Sequence, residues 1–196
     1  MGSPPTVVAT TLGKTTVQAL SYRSASVPVR ADFAAAHTRF WRRLAAPGTW
    51  WTGTQRVALA AEVRQARHCT LCQARKAALT PAAVQGEHDH LNAVPLAAVD
   101  VVHRVVTDPS RLTPKWFESM MHAGLSAEAY VEIIGTVVAM VSIESFCRGI
   151  GAPLHPLPEP QPGEPSHYRP PGATQNDAWV PMIPPESFGE AEADLY

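Results

Sequence analysis

Two cysteines, Cys69 and Cys72, enclose Thr70 and Leu71 in a Cys-x-x-Cys motif, and this pair is the most chemically suggestive feature of the chain. Such a pair has three readings. It can be a redox dithiol, in which one thiolate attacks and the other resolves. It can be half of a zinc site. It can also be two buried thiols without a role. Zinc requires two further ligands. Cys147 is the only other thiol, no second Cys-x-x-Cys exists, and His88 and His90 form the only close histidine pair nearby. The spacing therefore favours the dithiol, with no metal and no cofactor expected.

On a helix, residues three and four apart share a face. Cys69 and Cys72 then line up, and His68 stands one turn before Cys72. Arg67, Arg75 and Lys76 supply a cationic setting, which raises the thiolate fraction. If the chain instead kinks near Arg67-His68, the cysteines open a new helix whose positive end does the same work. Glu62 lies two turns before Cys69, too far for direct proton transfer along a straight helix. A kink or a water is needed to bring it into a relay. His103 follows Asp100 by three residues, so an Asp–His pair on one helical face is expected. Glu87-His88-Asp89-His90 reads as a solvated polar loop, and Cys147 as a small buried hydrophobe.

The elements that must position these groups read as helices. Asp32 is expected to cap a helix over Phe33–Ala45, ended by Pro47-Gly48. Thr52 and Gln55 have capping-box spacing and open a long run from Thr54 to about Ala78. Further helices are expected over Leu96–Val106, from Thr113-Pro114 to His122, and over Ala127–Arg148 behind Ser126. The middle of the last one is apolar on nearly every side, as in a helix buried in a core or a subunit interface. Residues 1–30 read as an extended arm with a short strand at Val17 to Ser21. Eleven of the nineteen prolines fall between Pro153 and Pro185, so residues 152–196 form a Pro-rich tail. Its Tyr168, Trp179, Val180, Met182, Ile183 and Phe188 are anchors that should hold it against the body or a neighbouring subunit.

Charge is close to balance, at −1, which gives no reason to expect nucleic acid or an anionic membrane as partner. The run Ile133 to Ile143 is short for a membrane span and is flanked by Glu132 and Glu144. With no basic-then-apolar start and only three cysteines, a cytoplasmic location is expected.

Trp51-Thr52-Gly53-Thr54-Gln55-Arg56, Ala60-Ala61-Glu62-Val63-Arg64 and the Cys69/Cys72 motif together resemble alkylhydroperoxidase D and the carboxymuconolactone decarboxylase superfamily. Val99 to Arg104, Asp108-Pro109 with Arg111-Leu112, Tyr130-Val131-Glu132 and Ala178-Trp179-Val180-Pro181 resemble its peroxidase-related branch. The resemblance implies an all-α fold with a two-helix core motif, over residues 31–151, and assembly into dimers, trimers or hexamers. It implies a thiol-dependent peroxidase: Cys72 attacks a hydroperoxide, Cys69 resolves, and an external dithiol restores the pair. The family's relay His and Glu positions fall on Lys76 and Val57 here. Glu62, His68 and His103 are the candidates to take over the relay. The alternative is a small-molecule-binding or stress-response protein on the same scaffold.

Overall fold

The computed structural model describes residues 19–184. They form six α-helices: α1 (Ala31–Ala45), α2 (Gly53–Ala66), α3 (Thr70–Ala77), α4 (Leu96–Thr107), α5 (Pro114–His122) and α6 (Ala127–Gly149). Two short 3-10 turns, Pro81–Ala83 and Pro109–Arg111, follow α3 and α4. Among the described residues the only β-pairing is an isolated bridge between Thr174 and Met182. The chain is all-α. Of the strand expected at Val17 to Ser21, the first two residues lie outside the described region, and Ala19–Ser21 are not in a strand. Phe188 lies outside it as well.

Most helix starts are fixed by local chemistry. The Thr52 side chain accepts from the Gln55 N–H while Gln55 Oε1 accepts from the Thr52 N–H, a reciprocal cap on α2. Thr113 caps α5 with Pro114 at its first position, and Ser126 caps α6. The exception is α1. It begins two residues earlier than expected, at Ala31, and Asp32 sits inside its first turn, paired with Arg30 at 2.7 Å rather than capping. Both α5 and α6 stop in Schellman turns. Leu125 N–H reaches back to Met120 C=O across Gly124 (φ +94°), and Ala152 N–H to Cys147 C=O across Gly151 (φ +66°). Left-handed backbone at these two points suits glycine.

The core sits where α2, α4 and α6 meet, with Leu59 and Val63 facing Val101, Val102, Ile133, Val137 and Met140, all within 1% of complete burial. α1 closes one side through Trp41 and Leu44. By length and composition α6 is apolar enough to cross a membrane. Its two interior acids are nevertheless engaged by the fold. Glu132 accepts from the backbone N–H groups of Thr49 and Trp50, and Glu144 is paired with Arg64 at 2.7 Å and Arg148 at 3.1 Å. Nor is α6 buried all round in the single chain. Val131 and Val138 lie about half exposed, at 49% and 52%, on its outward face.

After Ala152 the chain runs extended across the helices. Trp41 Nε1 donates to Pro156 C=O, Arg64 to His155 C=O, and the Gln161, Ser166 and His167 N–H groups to the carbonyls of Ala45, Gly48 and Thr49. Trp179 lies tilted against Phe117, and Arg169 lies over Trp50 while pairing with Glu128. These backbone bonds compensate for the lack of internal ladders in a Pro-rich segment. Gly53 lies at the point where α2 begins beneath this strap. A Cβ there would meet the carbonyls of Ala45 and Gln161, neither of which can swing away. Gly53→Ala should therefore destabilise the chain by about 1–3 kcal/mol, read as a lower midpoint in urea unfolding.

Candidate functional site

The long helix expected from Thr54 to Ala78 is broken. Its first part ends at Ala66, and the turn tightens, with His68 N–H bonded to Gln65 C=O and Cys69 N–H to Ala66 C=O. Cys69 adopts extended backbone as the N-cap of α3. The second of the two arrangements open to the sequence is thus the one adopted, with both cysteines at the start of a new helix. No local side chain caps that start. Asp89, from the loop that follows α3, does so from nineteen residues away, accepting from Thr70 N–H at 2.6 Å and Thr70 Oγ1 at 2.7 Å. The helix end in turn holds the Asp89 carboxyl below the usual carboxylate range.

That clamp brings the loop over the cysteines. His88 Nδ1 lies 3.4 Å from Cys72 Sγ and 3.6 Å from Cys69 Sγ, so one ring nitrogen faces both sulfurs. Cys69 Sγ also accepts from the Asp89 N–H at 3.4 Å. From below, His103 on α4 points its Nδ1 at Cys72 Sγ, 3.4 Å away. The far nitrogen of each ring is held by a carboxylate. His88 Nε2 is 3.0 Å from Asp100 Oδ1, and His103 Nε2 is 2.8 Å from Glu62 Oε1. Asp100 is itself fixed by Trp116 Nε1 and by Arg104 at 3.2 Å, and Glu62 by the Leu91 N–H at 3.1 Å. The four donor atoms of Cys69, Cys72, His88 and His103 all lie within 4.8 Å of one another, which is also the grouping a metal ion would require.

Burial and charge divide the two histidines. Burial works against a charged His88, but Asp100 and the two sulfurs outweigh it and raise the imidazolium to about 10. His103 is fully buried, and burial together with the neighbouring His88 cation pushes it below its ordinary value despite Glu62. The ring centroids are only 4.3 Å apart, so two adjacent cations are disfavoured. Burial opposes ionisation of Cys69 too, yet the Cys72 N–H, His88 and the Asp89 N–H together lower its thiol. Asp100 is desolvated, but His88, Trp116 and Arg104 hold it at about 2. The result is a cationic His88 donating to sulfur and carboxylate, and a neutral His103 whose Nε2–H goes to Glu62 and whose Nδ1 lone pair faces Cys72.

No family model, curated protein or solved structure matches this chain. What the cluster can do is therefore set by its geometry.

Several expectations change in that geometry. His68 is exposed and makes no hydrogen bond to either thiol, because the break before Cys69 turns it outward. Asp100 and His103 do not pair with each other. Three residues apart on α4, they reach to opposite sides of the cysteines, Asp100 to His88 and His103 to Glu62. Glu62 meets the sulfurs only through His103, fully buried on both sides. The cationic face is not formed by Arg67, Arg75 and Lys76. Arg75 donates to Val84 C=O, Arg67 feels Arg148 and Glu144, and Lys76 is exposed. The cation beside the thiols is His88, which spacing alone read as solvated. Its side chain is only 9% exposed. Of its neighbours, Glu87 is exposed and His90 accepts from Asn92 N–H, away from the sulfurs. Cys147 is buried beside Tyr22, with its thiol pushed up by burial, outside this cluster.

Two measurements follow. Glu62→Ala leaves the buried His103 N–H without its acceptor and should cost about 1–3 kcal/mol in urea unfolding. His88 titrates higher folded than unfolded, so the stability it adds is complete below an ordinary histidine value and lost as pH rises through about 10. In reduced protein with chelator, the gap in unfolding midpoint between wild type and His88→Gln should be wide at pH about 6 and close above about 10.

Proposed function

We propose that this protein is a thiol-dependent peroxidase of the alkylhydroperoxidase D kind, cycling Cys69 and Cys72 between dithiol and disulfide. One observation supports the reading above all others: a single imidazole, His88 Nδ1, stands within hydrogen-bonding reach of both sulfurs. Cys72 is 5% exposed and Cys69 not at all, so Cys72 is the sulfur an incoming hydroperoxide meets first.

The cycle follows from the positions of the protons. His103 Nδ1 takes the Cys72 proton in the same step in which His88 gives up its own, so the two rings are not charged together, and Glu62 orients His103 and balances the charge it gains. The Cys72 thiolate attacks the terminal oxygen of ROOH. The O–O bond breaks, Cys72 becomes a sulfenic acid, and the departing alkoxide takes a proton from the His88 imidazolium to leave as ROH. The Cys69 thiolate then attacks Cys72 Sγ. The S–S bond forms, and the hydroxide expelled leaves as water with the proton held by His103. An external dithiol returns two electrons and two protons by thiol–disulfide exchange. Asp100 and Glu62 are positioning residues that fix which nitrogen of each ring faces sulfur. No step requires a cofactor. Copies of the chain are proposed to associate, with the outward apolar face of α6 as the surface available for it.

With metal-free reduced protein, hydroperoxide consumption coupled to a small dithiol should vanish in Cys72→Ser. Cys69→Ser should stop after one turnover with a sulfenic acid that a dimedone-type reagent traps. His103→Gln should lower turnover about 100-fold or more, and His68→Ala should leave it unchanged. Undiminished turnover in Cys72→Ser contradicts the proposal.

A further inference from the structure

We infer that the same four side chains, Cys69, Cys72, His88 and His103, form a closed tetrahedral site for Zn2+ when both thiols are reduced. The inference stands on the geometry of the cluster and does not depend on the peroxidase reading.

The first support is metric. Zinc with Zn–S near 2.3 Å and Zn–N near 2.0–2.1 Å in a regular tetrahedron places each sulfur about 3.5 Å from each nitrogen. Three of the four sulfur–nitrogen separations here are 3.6 Å for Cys69 with His88, 3.4 Å for Cys72 with His88 and 3.4 Å for Cys72 with His103. All four donor atoms fall within 4.8 Å of one another. A cation placed among them has all four within reach, with three of the edges already at tetrahedral length.

The second support is the orientation of the rings. Both imidazoles present Nδ1 to sulfur and anchor Nε2 on a carboxylate, Asp100 for His88 and Glu62 for His103. Metal-bound histidine takes this arrangement, because the carboxylate fixes the tautomer and makes the ligating nitrogen a better donor. Both rings take it, one approaching from the loop and the other from α4. The Asp89 N–H donating to Cys69 Sγ adds an outer-sphere bond to a ligating thiolate.

The third is charge. Two thiolates and a divalent cation sum to zero, and the ion takes the place of the His88 proton as the positive charge among buried sulfur, Asp100 and Glu62. Four protein ligands fill the zinc coordination shell, so the ion would pin the His88 loop to α3 and α4 and leave no open position for substrate. It would also occupy the sulfur lone pairs. Metal binding and peroxide attack are then mutually exclusive, and zinc would hold the pair reduced and silent.

The test uses the full chain, reduced and stripped with chelator, titrated with Co2+ and then Zn2+. One equivalent of Co2+ should give tetrahedral d–d bands with thiolate charge transfer, and Zn2+ should displace it. His88→Gln should abolish that tetrahedral spectrum, and Asp100→Asn, at a half-buried position, should weaken Zn2+ binding about 10–100-fold. Less than a tenth of an equivalent bound at micromolar metal, or a cobalt spectrum indifferent to His88→Gln, overturns the inference. Protein that consumes peroxide but binds no metal overturns this inference alone. Protein that binds one equivalent, yet is inert toward peroxide once stripped, overturns the peroxidase proposal alone.

Discussion

The arrangement depends on the contact between His88 and Asp100. A cationic imidazole anchored at 3.0 Å on a carboxylate turns its other nitrogen to two sulfurs at once. Asp100 can serve as that anchor because Trp116 and Arg104 hold it ionised and fixed in place. Without this anchor the loop would have no reason to fold its histidine inward, and the thiols would lose their nearest positive charge. The second histidine complements the first. His103 is kept neutral by burial and by the cation beside it, so the cluster contains one proton donor and one proton acceptor within reach of the same sulfur pair.

The fold supplies these groups from four places. The end of α2 provides Glu62, the start of α3 the cysteines, the following loop His88 and Asp89, and α4 both Asp100 and His103. The core among α2, α4 and α6 sets the distance between Glu62 and His103, both with side chains wholly removed from water. The break between α2 and α3 points the cysteines at the loop. The two features are coupled through Asp89, which caps α3 and places the adjacent His88 in the same stroke.

Much of the helical framework was legible from local chemistry. Capping at Thr52, Thr113 and Ser126 and the stops at Gly124 and Gly151 involve residues within a few positions of one another, so spacing suffices to find them. The site was legible in its sulfurs and much less so in its histidines. The break after Ala66 contains neither glycine nor proline, and its stabilising cap comes from Asp89, far along the chain. For the same reason His88 read as solvated: a polar loop looks alike whether or not tertiary contacts fold one side chain inward. Asp100 and His103 share a helix, and periodicity suggests a pair, but each finds a stronger partner on another segment. A signal was present in the four types themselves, two Cys and two His each with an acid available, but their spacing does not follow a familiar ligand pattern.

The claim most directly open to measurement is that His88 holds proton charge against the sulfurs. Thiolate ultraviolet absorbance, followed against pH in metal-free reduced protein, reports it without requiring a reagent to enter the buried site. The account predicts a Cys69 thiolate signal below the ordinary cysteine value of about 8.5, moving upward in His88→Gln. Absorbance that develops only at or above that value in the wild type, with the same profile in His88→Gln, would contradict it.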